Sequence, residues 1–206
     1  MLSLPVKPLV LCLPFILLLP SAAPADIQRL PLLLHLGQID GTGSRSEELA
    51  IGLETYFPTP SFHDNLRLSI DFWGWGTEMP NTVFSACFLC SVNDHVDVSV
   101  ASFGLGILGI HPLTEKWQLY ARAGLSFARI NYKLTGSIVG IPGTVEEDDD
   151  SEISMQYGFG IVYAGENSSI GLHARRFDLD SGSTAFAVDR TDLGGNYTGI
   201  SMGWFF

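Results

Sequence analysis

Cys87 and Cys90 are the chain's one C-x-x-C pair. That spacing serves thiol redox chemistry or half of a zinc site. Zinc needs four ligands and no second pair is suitably spaced. Redox use needs a βαβ setting, which the surrounding pattern lacks. In an exported chain the expectation is a local disulfide, Cys87 to Cys90, with free thiols as the alternative. A second group is the acidic run Glu146, Glu147, Asp148, Asp149 and Asp150. Clustered oxygens suit Ca²⁺ or Mg²⁺, but the spaced Asp and Gly of an EF-hand are missing, so the run reads first as a solvated loop and only weakly as a cation site. No cofactor is indicated. The third group is Glu54, Arg67, Asp71, Arg122, His173 and Arg175, single polar residues set in apolar and small-residue stretches. Charges taken out of water must be paired. These six are expected to form a polar network inside whatever structure carries them.

Composition limits that structure. The 206 residues hold 22 acidic and 11 basic side chains, a net charge of −11. Nucleic-acid binding through clustered Lys and Arg is excluded. Charged residues are 16% and apolar residues 46%, against about 25% charged in an ordinary soluble domain. The 22 glycines have no three-residue period, so collagen is excluded. Lys7 is the only charge in the first 25 residues, residues 9–19 are almost wholly apolar, and Ser21-Ala22-Ala23-Pro24-Ala25 follows. This is the pattern of a secretory leader cleaved after Ala25, or after Ala23. The expected domain is then residues 26–206.

Within that domain the apolar residues alternate with period two, the strand signal. Over residues 153–164, Ile153, Met155, Tyr157, Phe159, Ile161 and Tyr163 share one face; Ser, Gln, Gly, Val and Ala fill the other. Residues 49–57, 66–72 and 117–127 alternate likewise. Residues 32–40, 96–110, 170–179 and 194–206 are weaker. The apolar face changes parity near Ala101, which reads as a bulge, and again at Arg175-Arg176. Residues 58–65, 112–116 and 165–168 are short turns; residues 41–46, 77–95, 135–151 and 180–193 are longer loops. Eight strands, with short turns at one end and long loops at the other, predict an all-β fold. It is an eight-stranded antiparallel up-and-down transmembrane barrel. The large apolar face suits lipid and the small, polar face suits a narrow interior. Trp73, Trp75, Tyr132 and Tyr197 are candidates for an aromatic girdle at the loop end, and Trp117, Trp204 and Phe206 for one at the turn end, with ordinary packing as the alternative.

The chain finishes on alternating Ile200, Met202, Trp204 and Phe206. This resembles the C-terminal signal that bacterial outer-membrane proteins present to their assembly machinery. Phe103-Gly104-Leu105-Gly106-Ile107-Leu108-Gly109, the turn Pro112 to Trp117, Gln118 to Leu125, Tyr157-Gly158-Phe159-Gly160 and Arg175 to Leu179 carry a wider likeness. With them the chain resembles the small eight-stranded outer-membrane barrels of the OmpA transmembrane-domain and OmpX type, also called porin-family proteins. The resemblance implies a bacterial outer-membrane location. The implied partners are outer-membrane lipid, lipopolysaccharide and the barrel-assembly machinery; a monomer is expected because eight-stranded closure does not require a partner copy. It favours a non-enzymatic barrel with a side-chain-filled lumen that serves envelope integrity and surface interaction. A narrow or gated solute channel is the alternative. A lipid A-modifying enzyme is the remote one, because such deacylases carry His-x-Ser and none of His35, His63, His95, His111 or His173 has Ser two residues later.

Overall fold

The computed structural model describes residues 30–40, 48–58, 65–80, 90–92, 95–138, 141–183 and 188–206. Their strands are β1 (Pro31–Asp40), β2 (Glu48–Pro58), β3 (Leu66–Pro80), β4 (Cys90–Val92), β5 (His95–Pro112), β6 (Trp117–Ile138), β7 (Ile141–Ala164), β8 (Ser168–Asp178), β9 (Asp180–Ser183), β10 (Val188–Asp192) and β11 (Gly195–Phe205). No helix occurs among the described residues. Each long strand pairs antiparallel with its neighbour in sequence, and β11 pairs with β1. The sheet therefore closes as an eight-stranded up-and-down barrel. Strand β4 adds to the far end of β6, and β9–β10 form a separate hairpin.

Closure leaves no edge on the eight long strands, the condition for strands to cross a bilayer whose core offers no hydrogen bonds. The pairing is staggered. The row of directly opposed residues that starts near the foot of β11 at Trp204 runs through Leu32, Thr55, Ile70, Leu105, Leu125 and Met155 to Asp178, near the top of β8. A closed barrel needs this stagger because its strands tilt.

Alternation assigns the faces. Leu32, Leu49, Ile51, Leu53, Leu68, Phe72, Leu105, Ile107, Leu125, Phe127, Ile153, Met155, Phe159, Ile170 and Leu172 are exposed on the outer wall. A soluble barrel would bury such residues; an apolar outer band is the signature of a lipid-facing wall. The last strand places Ile200, Met202, Trp204 and Phe206 together on that wall.

Three expectations change. First, there is no bulge at Ala101 and no slip at Arg175-Arg176: the registers of β3–β5, β5–β6, β7–β8 and β8–β11 are continuous there. On β5 the even-numbered residues face inward from Val96 to Ile110. The apolar face changes because the surroundings change. Phe103, Leu105 and Ile107 face lipid, whereas Asp97 and Ser99 lie beyond it and Val96, Val98 and Val100 pack inside. Second, the expected loop at residues 135–151 is strand. β6 and β7 pair up to Ile138–Ile141 with one register shift between Leu134 and Thr135, and residues 180–192 hold β9 and β10. The acidic run thus lies on β7 opposite Ile130, Asn131, Tyr132, Lys133 and Leu134. Solvent around a strand that has left the bilayer accepts charges on its outer face, so acidity does not enforce a loop.

Third, Trp73, Trp75, Tyr132 and Tyr197 are buried in the interior, not in a girdle. The outer aromatic row at that end is Phe72, Phe103 and Phe127, on directly opposed positions of β3, β5 and β6. Their rings are 5.0 and 6.4 Å apart. At the turn end Trp117, Trp204 and Phe206 face outward.

Candidate functional site in the barrel interior

Inward-facing positions fall into three tiers. Toward the loop end Trp73, Trp75, Val98, Ile130, Tyr132 and Phe177 belong to an apolar cluster. Toward the turns Leu33, Tyr56, Leu108, Ile110 and Tyr120 form a second. Between them sit the charges.

Glu54 and Asp71 are directly opposed on β2 and β3, and both are fully buried. Arg175 on β8 reaches across the barrel and bridges them. Its Nη2 donates to Glu54 Oε2 at 2.8 Å and its Nη1 to Asp71 Oδ2 at 2.8 Å. Arg122 on β6 makes the same bridge, donating through Nη1 to Glu54 Oε1 at 3.2 Å and pairing with Asp71. Two carboxylates thus face two guanidiniums and the charges cancel, which is what burial requires. Tyr120 donates to Glu54 Oε2 at 3.0 Å and accepts from Arg175 Nη2 at 2.9 Å. Gln156 donates to Asp71 Oδ1 at 3.3 Å and accepts from Arg175 Nη1 at 3.4 Å. The Arg175 guanidinium lies 4.6 Å from the centre of the Trp73 ring, a cation–π contact linking the charges to the upper apolar cluster.

Histidines flank this centre. His35 Nε2 is 3.1 Å from Glu54 Oε2, and its ring meets that of His173 edge-on at 4.8 Å. His173 Nε2 is 2.6 Å from Ser201 Oγ across the β8–β11 pair. Ser beside His is the start of a hydrolytic dyad. Here Ser201 is buried facing inward, and His173 Nδ1 has no hydrogen-bond partner among the described residues. No acidic group among the described residues orients the imidazole as a triad acid would.

Strand β5 contributes space. Its inward Gly104 and Gly106 lie where a Cβ would collide, on Gly104 with Gln156 and Asp71 and on Gly106 with Arg122 Nε. Glycine is required at Gly104 by this close approach, not by backbone torsion.

Of the residues expected from sequence, Glu54, Asp71, Arg122 and Arg175 are brought into one cluster, with His173 beside it. Arg67 lies four positions below Asp71 on β3, near the turns, where its Nη1 donates to the Leu66 carbonyl at 2.8 Å. Tyr120, Gln156, His35 and Ser201 were not anticipated. Their partners lie on other strands, Tyr120 meeting Glu54 across the lumen, Gln156 meeting Asp71, His35 meeting Glu54 and Ser201 meeting His173, and this is visible only once register and closure are known. On the outer wall, Arg129 pairs with Asp149 at 3.4 Å, both largely exposed; such pairs contribute about 0.2–1 kcal/mol. Cys90 lies on β4 opposite Ile138, whereas Cys87 and the expected cleavage positions Ala23 and Ala25 lie outside the described residues. No cluster of three metal-ligating side chains occurs among the described residues.

No family model and no curated protein sequence matches the chain. Solved structures do. Neisserial surface protein A matches with a TM-score of 0.57 at 12% identity, over 86% of this chain and 96% of that one. The attachment invasion locus protein Ail of Yersinia pestis gives 0.47 at 14% identity, over 86% and 97%. The N-terminal barrel domain of Pseudomonas aeruginosa OprF gives 0.44 at 14%, over 87% and 98%. At such identities a likeness speaks of architecture alone. With its closed strand order, outward apolar band and likeness to Neisserial surface protein A, the chain has the fold of the small eight-stranded bacterial outer-membrane barrels.

Proposed function

We propose that the chain is a non-enzymatic barrel of the bacterial outer membrane. Its own side chains fill the lumen, and it serves envelope integrity and surface interaction through the elements at its loop end. The observation that carries this reading is the double bridge of Arg122 and Arg175 over Glu54 and Asp71, stacked between two apolar clusters. An eight-stranded barrel has an interior just wide enough for such side chains. Charges that satisfy one another act as packing, not as a conducting path. Its partners on this reading are outer-membrane lipid and lipopolysaccharide around the wall, with the assembly machinery engaging the terminal strand at Ile200, Met202, Trp204 and Phe206. Closure satisfies the eight long strands of the barrel, so on this reading it works as a monomer.

A narrow gated channel is the second reading. Arg122 Nε and Nη2 have no hydrogen-bond partner among the described residues, so the network retains donors that a rearranged, hydrated state would use. Planar-bilayer recording of the purified protein separates the two. Silence at all voltages is expected; a stable unitary current abolished by Arg122→Leu would replace the first reading by the second. The enzyme reading would be revived only by altered lipid A on overexpression that Ser201→Ala removes.

A further inference from the structure

The outer apolar band has unequal height around the barrel. On β7 it has six alternate positions, Ile153, Met155, Tyr157, Phe159, Ile161 and Tyr163. At about 3.3 Å per residue these span roughly 33 Å of strand, enough for a tilted strand to cross a bilayer core of ordinary thickness. On the adjacent β8 only Ile170, Leu172 and Ala174 are apolar, about 13 Å of strand on the same rise. Above them the outer face carries Arg176 and Asp178, and on the next strand, β11, it carries Thr198 and Asn196.

The register makes this a mismatch between neighbours. Arg176 opposes Tyr157, and Asp178 opposes Met155. Strand tilt lifts each β8 residue by about 3 Å relative to its β7 partner, and even so Ile153 stands above both on β7. On the other side Arg176 opposes Asn196, and Thr198 opposes Ala174. A flat bilayer surface level with Ile153 would submerge Arg176 and Thr198 in acyl chains. Lipid-facing charge is strongly disfavoured at depth and tolerated near the interface.

We infer that β8 and β11 form a thin seam, where the headgroup layer of the outer leaflet dips to the level of Arg176 and Thr198 and the bilayer is locally compressed. Arg176 donates through Nε to Asp178 Oδ1 at 2.9 Å, so the seam presents a dipolar pair suited to water and zwitterionic or anionic headgroups. The rival occupant is a second copy of the chain. A stable protein interface needs an apolar centre within a patch of about 800 Å² per partner. At the level of the dip the outer face has none, because Arg176, Asp178, Asn196 and Thr198 are all polar and the apolar Leu172 and Ile200 lie below them. A shortened hydrophobic span is met by thinning the lipid around it.

The inference rests on the membrane reading, and one experiment tests both separately. The full mature chain is placed in phosphatidylcholine nanodiscs, and amide NMR signals are recorded with nitroxide at the lipid headgroup or at the acyl-chain end. Leu125 and Phe159 should broaden several-fold more with the acyl-chain label, whereas Arg176 and Thr198 should broaden several-fold more with the headgroup label. Equal acyl-chain broadening at Thr198 and Leu125 would overturn the seam while leaving the membrane reading intact. No acyl-chain broadening at Leu125 would overturn both. Protection of Thr198 from both labels that disappears on dilution would mean that a second copy covers the seam, and would overturn the inference as well.

Discussion

Glu54 and Asp71 are directly opposed on the β2–β3 hairpin, both pointing into the barrel and both fully buried. Like charges opposite one another destabilise an antiparallel pair. They coexist because Arg122, two strands from Asp71 around the ring, and Arg175, directly across from it, each reach both carboxylates. The strands most distant around the ring are thereby tied together through the lumen.

Removing one tie should be severe. Arg175→Leu leaves Glu54 and Asp71 sharing a single guanidinium and takes a partner from Tyr120 and Gln156. Breaking a buried pair by deleting one member costs about 3–5 kcal/mol. The midpoint of urea unfolding in detergent micelles should fall accordingly. The double variant Arg175→Leu with Glu54→Leu should recover part of the loss, because no uncompensated charge is then left. Additive losses would mean that the residues are not coupled.

The inward glycines of β5 are expected to be as sensitive as the charges. Gly104→Ala would drive a methyl group into Gln156 and Asp71. Overpacking a filled interior typically costs about 1–3 kcal/mol. Gly74→Ala, on the outer wall, meets nothing closer than the Val100 carbonyl at 3.9 Å and should be near neutral. The check is the unfolding midpoint of each variant; equal effects at the two positions would mean that the Gly104 site is not packed.

The terminal strand should act on assembly more than on stability. Phe206 is the most exposed of the large apolar side chains among the described residues at 78%, and its amide donates to the Leu30 carbonyl at 3.1 Å. Deleting Phe206 therefore removes little packing. The purified variant should still refold and show its heat-dependent mobility on gels, while its amount in the outer-membrane fraction should fall several-fold. Unchanged outer-membrane levels would remove Phe206 from any recognition role.

What the sequence reveals follows from where the solvent is constant. Along Ile153 to Tyr163 the outer face meets lipid throughout, so alternation is clean and the strand is legible. Along Val96 to Ile110 one strand passes from water to lipid, the apolar residues change sides, and the pattern imitates a bulge that the register lacks. Trp73 and Trp75 mislead for the same reason: near a loop an aromatic reads as a girdle, but these face the interior. The charges Glu54, Asp71, Arg122 and Arg175 stand out because isolated polar residues in apolar strands need partners. Ser201 and Tyr120 do not, because hydroxyls are common and only closure of the barrel sets Ser201 against His173 and Tyr120 against Glu54.

The position of the bilayer surface on β5 gives the last prediction. Phe103 marks the aromatic row, Leu105 lies one outer position toward the turns, and Ala101 lies one toward the loops. If the apolar band is lipid-facing, an arginine at these neighbouring sites should meet different solvents. Leu105→Arg places the charge inside the hydrocarbon, where the cost approaches about 2–4 kcal/mol near the midplane; Ala101→Arg places it among headgroups, where the cost is about 0–1 kcal/mol. Refolding equilibria in phospholipid vesicles should therefore separate the two variants by about 2 kcal/mol or more on those magnitudes. In a soluble barrel both positions would face water and the two variants would behave alike. The comparison tests the wall assignment on one strand and one face, with the lumen untouched.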